Sequence, residues 1–302
     1  MKLNFNTNSS QADPYVIKSG DTYYMYVTGR EYVNLFKSDN FFDWIEVGNC
    51  YQKVGDYQYW APCVIELDGV FYMYVSSMPI DTEDVHQQKI QVAKANNPEG
   101  PFYFVRYLAT PFSIDPHVVK SGNDLYMFYA VNDYEAKRAG TYVVVDKMIS
   151  PLQMVGKPKA VVRPTLDEEI FMRDRFKKGQ HWHTIEGPFY IRNGDYHYLM
   201  YSGNCYQNEN YFIGYSVAHS KENDLTKLDF KKYPSDNVYA PLLRKNEFEE
   251  GTGHNSVLTV NGKTYVIYHG RDYSPNIELN DKRTARICEI TFNDGFIKVV
   301  NR

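Results

Sequence analysis

Along this 302-residue chain, one arrangement of hydrophobic and polar positions recurs. The clearest copies are ADPYVIKSGDTYYMYVTG (12–29), APCVIELDGVFYMYVSS (61–77), IDPHVVKSGNDLYMFYAV (114–131), EGPFYIRNGDYHYLMYSG (186–203) and HNSVLTVNGKTYVIYHG (254–270). In each copy a polar or Pro-containing head leads into a short apolar run. A Gly-centred turn follows, and then a run of Tyr, Phe, Met and Val. Short β-branched and aromatic runs predict strands. Gly and Asn tolerate positive φ, so turns such as Asp68-Gly69 and Asn261-Gly262 predict tight hairpins.

Aligning Pro14, Pro62, Pro116, Pro188 and Ser256 spaces the copies 48, 54, 72 and 68 residues apart. Five hairpins in this length leave about 60 residues each, enough for a four-stranded blade and a loop. Strand-like runs at 90–95, 141–146 and 211–220 supply third strands. The expectation is an all-β chain folded as a five-bladed β-propeller, one domain over 1–302. The segment 296–301 or 2–5 is expected to close the ring. A two-sheet sandwich also explains many short strands, but not five copies of one hairpin. Residues 165–180 alternate charge without an apolar stripe and are expected to form an exposed excursion.

Composition narrows the function classes. The net charge is -4, which argues against a nucleic-acid binder needing a basic face. No apolar run is long enough to span a membrane as a helix. Cys50, Cys63, Cys205 and Cys288 lack metal or disulfide spacing and read as free thiols. Met1 to Asp13 show no leader pattern, so a cytoplasmic location is expected. The 28 tyrosines concentrate in the second strands of the hairpins and read mainly as packing residues.

The strand heads carry the candidate chemistry. Asp13, Asp115, Glu186 and His254 head repeats one, three, four and five, whereas Trp60-Ala61-Pro62 heads repeat two. Equivalent positions of a propeller ring its axis, so these residues are expected at one mouth of the channel, at one register. Crowded carboxylates raise one another's pKa. That is how a site holds a protonated acid beside an ionised base, the pair used in glycosidic hydrolysis. Trp60 is the first choice for a sugar platform, ahead of Phe36, Tyr57, Tyr59 and His117. His181 and His183 have the i, i+2 spacing of a strand metal pair, although a solvated loop explains them as well.

At these residues the chain resembles glycoside hydrolase family 43. The resemblance rests on the Ala-Asp-Pro start at Asp13, Trp60-Ala61-Pro62, Ile114-Asp115-Pro116, Glu186-Gly187-Pro188 and Gly253-His254-Asn255-Ser256, in order. It implies a five-bladed propeller and inversion at the anomeric carbon, with no organic cofactor. By resemblance Asp13 is the general base and Glu186 the general acid, and Asp115 tunes and orients Glu186. His254 would sit on the axis, near or ligating a calcium ion, or beside a water cluster. Arg283, in Lys282-Arg283-Thr284-Ala285, matches a sugar-contacting arginine of some members.

The expected activity is exo-release of pentose from oligosaccharides, as an α-L-arabinofuranosidase, because the length leaves no room for the second domain of many xylosidases. A β-D-xylosidase is the alternative. Less favoured are a phosphorylase drawing on Arg271, Arg283 and Arg286, and a non-catalytic sugar-binding propeller.

Overall fold

A computed structural model describes residues 1–273 and 282–302. The five expected hairpins are present. Tyr15–Ser19 pairs with Thr22–Val27, Asp56–Leu67 with Val70–Pro79, and Ser113–Ser121 with Asp124–Asp133. Trp182–Asn193 pairs with Tyr196–Gly203, and Glu249–Val260 with Lys263–Asp272. Asp68 and Gly69 both have positive φ, as do Asn261 and Gly262, as the tightest hairpin turns require.

Each hairpin extends outward as an antiparallel meander. The third strands are Val33–Ser38, Lys89–Ala95, Gly140–Ser150, Phe212–His219 and Thr284–Asn293. The third and fourth meanders join in one sheet of ten strands, through a parallel pairing of Gly140-Thr141 with His183-Thr184. The other meanders form separate sheets.

Alternation along the second strands explains the tyrosines. Tyr24 and Tyr26 face one apolar layer with Val64, Met73 and Val75 of the second meander. Tyr23, Met25 and Val27 face the opposite layer with Val260, Tyr265 and Ile267 of the last. Successive side chains of a strand point to opposite faces, so one strand serves two interfaces. Tyr74 packs with Met127 and Tyr129, Phe128 with Leu199 and Tyr201, and Tyr198 with Val266 and Tyr268. The apolar layers thus run from each meander to the next, and from the last back to the first.

Both expected end segments are strands, in different places. Phe296–Asn301 is the outer strand of its own sheet. Asn4–Phe5 pairs with Asp43-Trp44 of the first sheet, while Lys2 bridges to Arg286 of the last.

The 165–180 segment is only partly an excursion. Residues 172–174 and 176–179 are exposed, but Glu169 is fully buried and forms an ion pair with buried Lys232. Phe171 and Arg175 face a cavity at the strand heads. All four cysteines are buried free thiols, as expected.

Candidate active site

The inner strands bring their heads to one cavity of about 960 Å³, lined by Asp13, Trp60, Asp115, Glu186, His254 and Arg283 among others. The expected convergence therefore occurs, but not at one register. The backbone turns left-handed at Asp13 (φ 54°), Ala61 (φ 48°), Asp115 (φ 57°), Gly187 (φ 59°) and His254 (φ 42°). Glu186 precedes this kink by one residue and is level with Trp60, not with Asp13 and Asp115. Pairing with the second strand shifts register at the kinks of the second to fifth hairpins, as a bulge does. A left-handed residue with a side chain costs about 1–2 kcal/mol. A following proline adds to the conflict at Asp13, Ala61 and Asp115. Such strain gathers at functional sites.

Asp13 is held by several groups. Thr28 Oγ1 donates to its Oδ2 at 2.5 Å, and Arg283 donates to its Oδ1 at 3.2 Å. His254 Nδ1 lies 3.4 Å from Oδ1. The Asp13 N–H donates to His269 Nδ1 at 3.1 Å. Burial alone would raise the Asp13 pKa, but Arg283 first, and then His254 and His269, hold the carboxyl well below the ordinary range. Asp13 is an ionised carboxylate.

Asp115 and Glu186 shift the other way. Burial, then the charges of Glu186 and Asp13, push Asp115 well above the usual carboxylate range. Burial is also the main cause for Glu186, which rises to about 7, with Asp13 adding to the rise and Tyr211 and Arg283 opposing it. The two carboxyls are tied through the backbone, because the Gly187 N–H donates to Asp115 Oδ2 at 2.9 Å. Together they retain a proton toward neutral pH.

His254 lies between carboxylates, 3.8 Å from Asp115 Oδ2 as well as beside Asp13. Its main-chain N–H donates to Ser202 Oγ at 2.7 Å, and burial lowers the pKa of its imidazole. Gly187 packs on its ring, where a Cβ would lie 3.2 Å from the imidazole.

Three contributors escaped the sequence reading. Tyr211 donates its hydroxyl to Glu186 Oε1 at 2.8 Å. Its ring is stacked on His269, with centroids 5.7 Å apart and planes 8° from parallel. It fits because residue 253 is glycine, where a Cβ would fall 1.8 Å from the ring. His269 is fully buried, and burial drives its pKa to about 4, so it is a neutral acceptor for Asp13. Thr28 links two strands, since its Oγ1 also accepts the Ala61 N–H at 2.8 Å. Tyr211 was one tyrosine among 28. His269 and Thr28 lie at second-strand ends, away from the heads that carried the signal.

Trp60 is partly exposed in the cavity and donates to Gln58 Oε1 at 3.2 Å. The weaker platform candidates lie elsewhere. Phe36 and Tyr59 are fully buried in apolar layers, and His117 is buried against Phe189 with centroids 4.2 Å apart. Tyr57 bonds the Thr82 carbonyl. His181 and His183 form no metal pair. His181 Nδ1 accepts the Asp174 N–H, and His183 lies against the Ala139 carbonyl and Arg138.

Arg271 donates to the carbonyls of Tyr206 and Asn208, and Arg286 is paired with Glu249 and Asp272. That leaves Arg283 as the one member of the expected phosphate cluster lining the cavity.

Calcium takes six to eight oxygen ligands. His254 offers nitrogen, and the carboxylates beside it are engaged by Arg283, Thr28 and Gly187. Among the described residues no group of three or more His, Cys, Asp or Glu is placed to hold a metal. The protein groups here do not form a calcium cage, and no step below runs through one.

A sequence profile described as Glycosyl hydrolases family 43 matches residues 6–297. The chain belongs to this family. An extracellular exo-α-(1→5)-L-arabinofuranosidase of Streptomyces avermitilis is 26% identical over 253 residues, which is 78% of this chain and 48% of that protein. The extracellular exo-α-(1→5)-L-arabinofuranosidase ArbA of Cellvibrio japonicus is 25% identical over 292 residues, covering 87% of this chain and 80% of that one. The chain thus spans about half the length of the first relative and most of the second. A crystal structure of a thermostable family-43 glycoside hydrolase aligns with a TM-score of 0.80 at 29% identity, over 96% of this chain and 93% of the other.

The family is one of glycosyl hydrolases by its description. The relatives correct the cytoplasmic expectation, because both are named extracellular.

Proposed function

We propose that the protein is an inverting, exo-acting α-L-arabinofuranosidase carried on a single five-bladed β-propeller. The observation that carries the reading is the opposed pKa shift within one cavity. Asp13 is ionised, while Glu186 keeps a proton up to about 7. Two carboxyls whose environments push them apart supply a base and an acid. Asp13 takes the proton of the attacking water. Glu186 gives its proton to the leaving oxygen. Asp115 shares the retained proton with Glu186 and fixes its backbone through Gly187. Trp60 offers a flat face to the sugar, and Arg283 holds Asp13 at the sugar-binding end of the cavity.

The apolar layers that return from the last meander to the first support the five-bladed ring. The names of the two curated relatives support arabinofuranose. Proton NMR during hydrolysis of aryl α-L-arabinofuranosides and β-D-xylosides tests the reading. The expected result is turnover of the arabinoside, with the β-anomer appearing first. Xyloside preference would overturn the sugar, and release of the α-anomer from the arabinoside would overturn the base role of Asp13.

A further inference from the structure

Arg175 is the feature of the cavity that the proposed chemistry leaves unused. It lines the same cavity as Asp13 and Glu186, yet has no carboxylate partner among the described residues. Its guanidinium lies 4.6 Å from the centre of the Trp182 ring and 5.3 Å from that of Phe176. Its Nη2 faces His86 Nε2 at 3.2 Å, and His86 Nδ1 lies 2.7 Å from Asp84 Oδ1. A guanidinium only donates, so His86 accepts from it and donates to Asp84. Stacked and bonded on one side, this half-buried cation is held in place without being neutralised. Burying a charge without a counterion is unfavourable, and an incoming anion would relieve that.

The wall carrying Arg175 has a second face. Trp182 and Thr184 line the sugar cavity, whereas His181 and His183, on alternate positions, line a neighbouring cleft of about 860 Å³. That cleft is bordered by Lys137, Arg138, Arg163, Lys177 and Lys178, and among the described residues no carboxylate lines it. Asp167 and Asp133 pair with Arg138 and Arg163 from outside its lining. On a chain of net charge -4, cations are gathered on both faces of one loop and strand.

We propose that Arg175 forms a subsite for a carboxylate-bearing glycan, in which a uronic acid of the bound oligosaccharide is read by the Arg175 fork. This rests on the glycosidase reading for the position of the sugar, but not for the charge. Arginine presents a planar donor pair matched to a carboxylate. The ring of Phe171, which is partly exposed, would border the sugar carrying it.

The test uses a pentose-terminated oligosaccharide containing one uronic acid, and its methyl ester, which keeps the size and removes the charge. Each is titrated calorimetrically at low salt into the wild-type protein, Arg175→Gln and Arg175→Lys. The acid is expected to bind the wild type about tenfold tighter than the ester. That ratio should fall to about one in Arg175→Gln, be partly kept in Arg175→Lys, and shrink as salt is raised. Equal affinity of the wild type for acid and ester would overturn the proposal. So would a preference that Arg175→Gln leaves intact. Because binding is read rather than turnover, failure to cleave either compound would count against the glycosidase reading alone.

Discussion

The hydroxyl of Tyr211 donates to Oε1 of Glu186 at 2.8 Å, and this bond opposes the burial that raises the Glu186 pKa. A hydrogen bond to the ionised form favours it. Removing the hydroxyl in Tyr211→Phe should therefore raise the Glu186 pKa. The alkaline limb of kcat/KM is expected to move up by about half to one pH unit, measured on a substrate with a poor leaving group. A limb that stays put or moves down would separate Tyr211 from the acid.

The wild-type pH profile follows from the two opposed carboxyls. The proposed mechanism needs Glu186 protonated and Asp13 ionised. Glu186 loses its proton as the pH rises through about 7, so activity should decline there. Asp13 is held well below the ordinary carboxylate range, so its acid limb should appear only at strongly acidic pH. A profile that instead rises through neutrality would reverse the assignment.

Glu186→Gln should separate activity from stability. Loss of the acid is expected to slow a poor leaving group by about 10²–10⁴-fold. An activated aryl glycoside should lose much less. The folded-state pKa of Glu186 is raised, so its contribution to stability is full below the ordinary value and is lost as pH rises through about 7. Glutamine lacks that loss. The Tm of the variant relative to wild type should therefore be higher at about pH 8 than at about pH 5. An equal difference at both values would contradict the raised pKa.

Gly253→Ala should act on Tyr211 without touching a carboxylate. Its Cβ would lie 1.8 Å from the Tyr211 ring, so the ring must move. Overpacking of this kind costs about 1–3 kcal/mol, read as a lower Tm. The alkaline limb should shift upward, as in Tyr211→Phe, if the displaced ring loses Glu186.

The wall bearing Arg175 depends on the buried pair of Lys232 and Glu169. Glu169 also accepts the N–H groups of Thr165 and Leu166 at 2.7 and 3.0 Å. Lys232→Met would strand a buried carboxylate and is expected to cost about 3–5 kcal/mol by denaturant unfolding. A neutral outcome would mean that Glu169 simply takes a proton.

The hairpins were legible because two physical signals coincide in them, turn residues with positive φ and short aromatic runs. Three of the five third strands, at 90–95, 141–146 and 211–220, were visible as short β-branched and aromatic runs, whereas Val33–Ser38 and Thr284–Asn293 were not. The site was half legible. Asp13, Asp115, Glu186 and His254 stand at strand heads, and their convergence follows from repetition alone. Their shared register did not follow, because the kink falls on Gly187 and not on Glu186. A one-residue offset in a bulged strand leaves no mark in composition. Tyr211 was invisible because it reaches Glu186 from just before the third strand of the same meander, 25 residues away, and His269 because it meets Asp13 of another meander. The loop at 165–180 looked solvated because its charges alternate, while Glu169 and Lys232, 63 residues apart, neutralise each other in the interior.

Ala61 adopts the left-handed turn of Asp13, Asp115 and His254 but brings no functional group of its own. It contributes its amide, passed through Thr28 to Asp13. A main-chain donor survives every substitution except proline. Position 61 is therefore where the ring can be redesigned while the link through Thr28 to Asp13 is kept, and where glycine, free of left-handed strain, would suit the backbone better than the residue now present.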